Sequence, residues 1–259
     1  GFGGILADDM GLGKTLQTIA LLEDAYSRGE TLPSLIVCPA SLVYNWECEI
    51  RRFAPKRRVW SLAGSSTARG ELLQSVRENP SFCQILITSY DLLKRDISLY
   101  QDIRFRFQII DEAQYIKNAA TQSARAVKAV SAQSRFALTG TPVENRLGEL
   151  WSIFDYLMPG FLFTYSRFRK QFELPIAKAG DRYALESLRR LSGPFVLRRL
   201  KKDVLKDLPD KLETVVYSMA EEEQKQLYTA HALALKEELE QMSGDTYGSE
   251  RIQVLAELT

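Results

Sequence analysis

Short runs that are apolar at successive positions alternate along the chain with stretches whose apolar residues recur every three or four places. The runs are Gly4-Ile5-Leu6-Ala7, Leu35-Ile36-Val37-Cys38, Ile85-Leu86-Ile87-Thr88, Phe107-Gln108-Ile109-Ile110 and Phe136-Ala137-Leu138. Most are apolar on both faces, as strands are when helices cover a sheet on each side. Leu16, Ile19, Ala20 and Leu22 keep helical spacing after the first run, and Leu42, Val43, Trp46, Ile50 and Phe53 after the second. Over residues 3–141 the alternation predicts an α/β fold with a central, mostly parallel sheet flanked by helices. Ligands gather at the carboxyl ends of the strands in such sheets.

Beyond Pro142 the strand runs stop. Leu147, Leu150, Trp151, Phe154 and Leu157 share one helix face, closed by Met158-Pro159-Gly160. Tyr165, Phe168 and Phe172 mark a second helix, and Leu185, Leu188 and Leu191 a third. A Leu208-Pro209 break precedes a strand at Val215-Val216-Tyr217 and a long amphipathic helix from Ala220 to Met242. The expected division is a sheet lobe over 1–158 and a helical extension over 159–259, with a returning strand near 213–219.

Composition narrows the class only a little. With 259 residues, 45% hydrophobic and 26% charged, the chain can bury a globular core. No apolar run reaches the ~20 residues that span a bilayer, and no charged-then-apolar leader opens the chain, so neither a membrane partner nor secretion is expected. Cys38, Cys48, Cys83 and the single His231 have no metal-ligand or disulfide spacing. Net charge is +1, yet residues 1–212 carry 31 basic and 23 acidic side chains against 3 and 10 in 213–259. The basic part can attract a polyanion, although two differently solvated surfaces produce the same split.

The chemistry is concentrated after the strands. Gly4–Ala7 runs into Asp8-Asp9-Met10-Gly11-Leu12-Gly13-Lys14-Thr15 and straight into a helix. In that context glycines let backbone amides close around phosphates, the helix start adds its dipole, Lys14 reaches the outer phosphates and Thr15 ligates Mg²⁺. Asp9, Met10, Gly11, Leu12, Gly13, Lys14, Thr15 and Leu16 are the candidate nucleotide-binding residues. Asp8 departs from the usual pattern, which begins with glycine. Phe107–Ile110 leads into Asp111-Glu112-Ala113-Gln114. Asp111 would hold Mg²⁺ with Thr15, and Glu112 would orient or deprotonate the attacking water. An acidic pair at a strand end can also be a simple cap; it gains meaning beside the Lys14 loop. Leu138-Thr139-Gly140-Thr141-Pro142 ends the last run, and its hydroxyls could sense the γ-phosphate.

Together these residues resemble the first motor lobe of a superfamily-two helicase-like ATPase. "ADDMGLGKT" (7–15), "VCPASLVYNW" (37–46), "ITSYD" (87–91), "DEAQYIKN" (111–118), "LTGTPVEN" (138–145) and "PFVLRRLKKDV" (194–204) are similar to the Swi/Snf-type double-stranded-DNA translocases. The resemblance covers nearly the whole chain. It implies a RecA-like P-loop lobe that uses ATP and Mg²⁺ and has Lys14, Asp111, Glu112 and Gln114 as catalytic residues. It further implies a DNA-dependent ATPase that works with a second RecA-like lobe and tracks duplex DNA without separating strands, remodelling a DNA-bound protein complex. That second lobe, with its arginine fingers, is expected after Thr259, and the adenine-reading glutamine segment before Gly1. These 259 residues alone are therefore expected to turn ATP over weakly. The setting implied is intracellular, nucleoid in a bacterium and nuclear in a eukaryote.

Family-like DNA contacts would come from Pro39, Ser41, Thr88, Ser89, Tyr90, Lys94, Arg95 and Lys117, which lie at or beyond the strand ends. Ser41 and Asp91 read equally as helix caps, and Trp46 reads as a core residue. Arg51, Arg52, Lys56, Arg57 and Arg58 form a basic run that suits a solvated face. Arg198, Arg199, Lys201 and Lys202 either meet phosphates or brace the lobe junction. Two rival functions share the nucleotide motifs: a strand-separating DNA or RNA helicase, and a module in which ATP only reshapes a docking surface.

Overall fold

The strands are β1 (Gly4–Leu6), β2 (Ser34–Cys38), β3 (Val59–Ser61), β4 (Ile85–Ser89), β5 (Arg104–Ile110), β6 (Ser131–Leu138) and β7 (Val196–Leu197). The structure is a computed structural model and describes residues 2–140, 147–204, 221, 224–231 and 233. Among the described residues these strands form one sheet, β3-β4-β2-β5-β6-β1-β7, with every pairing parallel. Leu6 pairs with Leu138, and Val37 with both Thr88 and Ile110. The strands therefore end nearly level, and every loop that leaves a strand tip emerges at one edge.

Helices α1 (Lys14–Ser27), α2 (Val43–Phe53), α3 (Ser66–Glu78), α4 (Tyr90–Asp96), α5 (Gln122–Ala129) and α6 (Leu147–Leu157) connect or cover the strands. Period-two alternation in β2 sends Leu35 and Val37 to one face and Ile36 and Cys38 to the other. The first face packs Leu73 and Val76 of α3, Leu93 of α4, Val127 of α5 and Ile153 and Phe154 of α6. The second packs Ile19, Leu22 and Tyr26 of α1 and Trp46 and Ile50 of α2. Helices on both faces explain why the strand runs lack polar alternation.

Two strands escape the sequence pattern, and both are edges. β3 is three residues long, only two of them apolar, and Trp60 is exposed; β7 is two residues long, with Leu197 exposed. The later helices follow the expected order: α7 (Tyr165–Phe168), a π-helical turn (Arg169–Glu173), α8 (Leu174–Ala179), α9 (Arg182–Ser192) and α10 (Lys201–Val204). Phe168 and Phe172 are buried, but α9 buries Ala184 and Leu188 and leaves Leu191 exposed, so its inner stripe is shifted from the one expected.

Contacts divide the chain into two units, Gly1–Leu208 and Pro209–Thr259. In the second, residues 224–231 are helical, with the Lys225 N–H bonded to the Glu221 carbonyl at 2.9 Å. The strand expected near 213–219 and most of the expected helix from Ala220 to Met242 lie outside the described residues. Among the described residues no helix is long and apolar enough to cross a membrane.

Candidate active site

The first strand-tip loop runs from Ala7 to Gly13 and opens α1. Gly11 and Gly13 have φ of 86° and 75°, the left-handed region in which glycine carries no side-chain penalty. Gly13 is the N-cap of α1. No side chain caps that end, and no acid lies in the first turn, so its N–H groups and positive dipole end face the loop unopposed. Lys14 folds back over the loop, its Nζ donating to the Asp8 carbonyl at 2.7 Å. Thr15 is half-buried, whereas Met10 and Leu16 are exposed. The Asp9 carboxylate accepts the Lys201 N–H at 2.9 Å, and the Leu12 carbonyl accepts the Gln17 amide at 3.1 Å.

Asp8, the departure from the glycine pattern, is completely buried. The Arg199 side chain donates through Nε to both carboxylate oxygens at 3.1 Å and through Nη2 to Oδ2. The Arg199 N–H adds a bond of 2.9 Å and the Gln17 amide one of 3.1 Å. Burial pushes the Asp8 carboxyl up, but these donors more than offset it and hold it below the ordinary carboxylate range. Asp8 thus ties the loop to the segment after β7. Arg199 is thereby committed to the Asp8 carboxylate of its own lobe.

At the tip of β5, Asp111 Oδ2 accepts the Trp46 indole N–H at 2.9 Å and Oδ1 the Glu112 N–H at 2.9 Å. Its carbonyl takes the Tyr90 hydroxyl at 2.8 Å. Burial raises the Asp111 carboxyl above its usual value; the indole, the Glu112 N–H and the charge of Lys14 pull it back, and the Glu112 charge adds to the rise. That Lys14 acts on Asp111 places the two loops at one corner. Glu112 stands at φ 52°, ψ 59°, a left-handed conformation that costs a non-glycine residue on the order of 1–3 kcal/mol. The Tyr115 N–H on its carbonyl at 3.0 Å and the Gln114 amide on Oε2 at 2.6 Å hold it there. Thr139 at the end of β6 donates to Gln114 Oε1 at 3.4 Å. Glu112, Gln114 and Thr139 form a chain across the β5 and β6 tips. Thr141 and Pro142 lie outside the described residues.

These groups fit a Mg²⁺-nucleotide. Asp111 keeps lone pairs on both oxygens, and Thr15 offers a hydroxyl. One carboxylate and one hydroxyl are the sparse donor set that suits Mg²⁺ shared with phosphates. Among the described residues no three His, Cys, Asp or Glu gather into a metal cage.

The expected DNA contacts separate into two groups. Pro39 is half-buried and Ser41 exposed just past β2, and Arg95 is exposed on α4. Lys94 is half-buried and pairs with Asp91 at 2.7 Å. Lys117 is turned to Glu149 at 3.4 Å. Thr88, Ser89 and Tyr90, by contrast, are 0%, 3% and 2% exposed, which corrects the expectation that their side chains face DNA. Thr88 lies inside β4, and Ser89 caps α4 by accepting the Leu92 N–H, the capping place expected of Asp91. The Tyr90 ring stacks on Tyr115 with centroids 5.0 Å apart. Trp46 is a core residue as expected, and its bond to Asp111 is the feature that sequence reading missed.

A parallel sheet with a glycine loop after β1 and an acidic pair after β5 defines a RecA-like α/β lobe. The chain belongs to the SNF2-related domain family, whose model matches residues 1–258. It is 42% identical over 248 residues to the TATA-binding protein-associated factor MOT1 of Saccharomyces cerevisiae, covering 87% of this chain and 13% of that protein. It is 42% identical over 228 residues to an uncharacterized ATP-dependent helicase of Mycoplasma genitalium, covering 88% and 21%. Its fold matches the Sulfolobus solfataricus SWI2/SNF2 ATPase core in complex with dsDNA, with a TM-score of 0.72 and 42% identity over 100% of this chain and 53% of that one. The chain thus spans about half of the solved core and a smaller part of the curated relatives.

Proposed function

We propose that this chain is the ATP-binding and ATP-hydrolysing lobe of a DNA-dependent motor that tracks duplex DNA without separating its strands and remodels a DNA-bound protein complex. One observation carries the reading. Lys14, uncapped at the start of α1, and the bonded set Asp111, Glu112, Gln114 and Thr139 meet at one sheet corner. Family membership and a solved relative in complex with dsDNA support the choice of duplex DNA. A DNA motor acts inside the cell, so the reading carries an intracellular location with it.

Lys14 would leave the Asp8 carbonyl to neutralise the outer phosphates, while Gly11, Gly13 and the open N–H groups of α1 cradle them. Thr15 and Asp111 would hold Mg²⁺, which when bound draws charge from the reacting phosphate. Glu112 would take the proton of the attacking water, and Gln114 would fix its carboxylate at Oε2. The link from Gln114 to Thr139 offers a path by which loss of phosphate reaches the β6 tip. A second lobe would supply positive charge from the other side of the nucleotide.

ATP turnover by the full-length protein should rise with duplex DNA, and a labelled duplex should remain paired. Strand separation at the rate of turnover would favour the helicase reading instead. DNA held by two or three phosphate contacts from Lys94, Arg95 and Lys117 should lose roughly 10- to 40-fold in affinity between 50 and 200 mM salt. A flat response would remove these cations from the interface.

A further inference from the structure

The strap that follows β7 does more than brace the sheet edge. Ala7 N–H bonds to the Leu197 carbonyl at 2.7 Å and Asp9 N–H to the Arg199 carbonyl at 3.1 Å. Arg199 clasps Asp8, and Lys201 N–H bonds to Asp9 Oδ2. The strap is thereby fixed to the glycine loop at successive residues. This registry brings Lys201 over the loop: a Cβ built on Gly11 would stand 3.4 Å from both Cε and Nζ of Lys201. Among the described residues its ammonium pairs with no carboxylate, whereas the Arg199 charge is spent on Asp8.

Charge gives this placement a purpose. A triphosphate is strongly anionic, yet the loop meant to receive it contains two acids, Asp8 and Asp9. Arg199 neutralises the buried one. Lys14, from α1, is one cation at the loop, and Lys201 is a second that reaches it from the opposite end of the lobe sequence.

Resting on the nucleotide reading above, we propose that Lys201 is a further nucleotide-binding residue, whose ammonium contacts the phosphate chain of ATP bound in the Gly11–Thr15 loop. Asp8 and Asp9 are then the anchors that hold it there. The Arg199–Asp8 clasp is a positioning device, and Gly11 supplies the left-handed backbone, φ 86°, of the loop beneath the lysine.

The test is equilibrium binding of ATP, ADP and adenosine, each with Mg²⁺, to the full-length protein. Lys201→Met keeps the stem and removes the charge. It should weaken ATP about tenfold, ADP less and adenosine not at all, while Lys201→Arg stays near the unchanged protein. Lys202→Met, one residue on, should bind all three normally. Lys201→Met with unaltered ATP affinity, beside a Lys14→Met that loses it, overturns the proposal and leaves the nucleotide reading standing. Unaltered affinity in both variants sinks the reading itself. If Asp9→Asn makes Lys201→Met harmless, the lysine only offsets Asp9, and the phosphate contact is excluded.

Discussion

Replacing Glu112 by Gln should lower the turnover number of the full-length protein by about 10²–10⁴ while leaving ATP affinity almost unchanged. Gln keeps a carbonyl oxygen at the position of Oε2, so the Gln114 amide retains its acceptor and the loop its shape. Only the capacity to take a proton from water is lost. Glu112→Gly makes the same point from the opposite side. It relieves the left-handed backbone at φ 52° and should stabilise the lobe by about 1 kcal/mol, yet turnover should fall as far as in Glu112→Gln. Strain kept at the cost of stability is expected of a group whose direction matters. Single-turnover hydrolysis with saturating nucleotide, read beside thermal unfolding, separates the two effects. Turnover within threefold of the unchanged protein in Glu112→Gln would move the general base to another residue.

The sequence speaks most clearly where one periodicity persists over several residues. β2, β4 and the end of β5 were visible because both faces are buried, which makes the run continuously apolar. β3 and β7 were silent because an edge strand of two or three residues gives neither alternation nor length. The glycine loop and acidic pair were legible as local patterns, each tied to its strand. The Asp8–Arg199 clasp joins residues 191 positions apart, so no window along the chain contains it. Thr88, Ser89 and Tyr90 show the converse error. Small hydroxyls beyond a strand suit phosphate contacts by chemistry, but the β4 tip turns them inward, and only packing reveals that.

Trp46 unites the two kinds of information. It is 1% exposed among Ile36, Ile50 and Ile87, and its indole N–H reaches Asp111 Oδ2. Trp46→Ala should cost about 3–5 kcal/mol, as large core truncations do. Trp46→Phe is the sharper experiment. An aromatic ring stays, and the lost donor should cost about 1–3 kcal/mol because one buried carboxylate oxygen loses its partner, with the vacated five-membered ring adding a core-truncation cost. The effect on activity follows from the direction of the Asp111 shift. Burial already holds this carboxyl above its usual value, and the indole is the largest of the groups that restrain it. Without the indole the carboxyl rises further. The metal-holding form is deprotonated, so activity is lost as pH falls through that value, and in Trp46→Phe the loss should begin at higher pH. The acid limb of kcat/KM reports the free enzyme and is the quantity to follow. Ile50→Val, a neighbouring core truncation that costs about 0.5–1.5 kcal/mol, provides the control. It should lower the unfolding temperature without moving the limb, since Ile50 donates nothing to Asp111. A limb that stays in place in Trp46→Phe would reduce the indole to packing and take Asp111 out of the metal site.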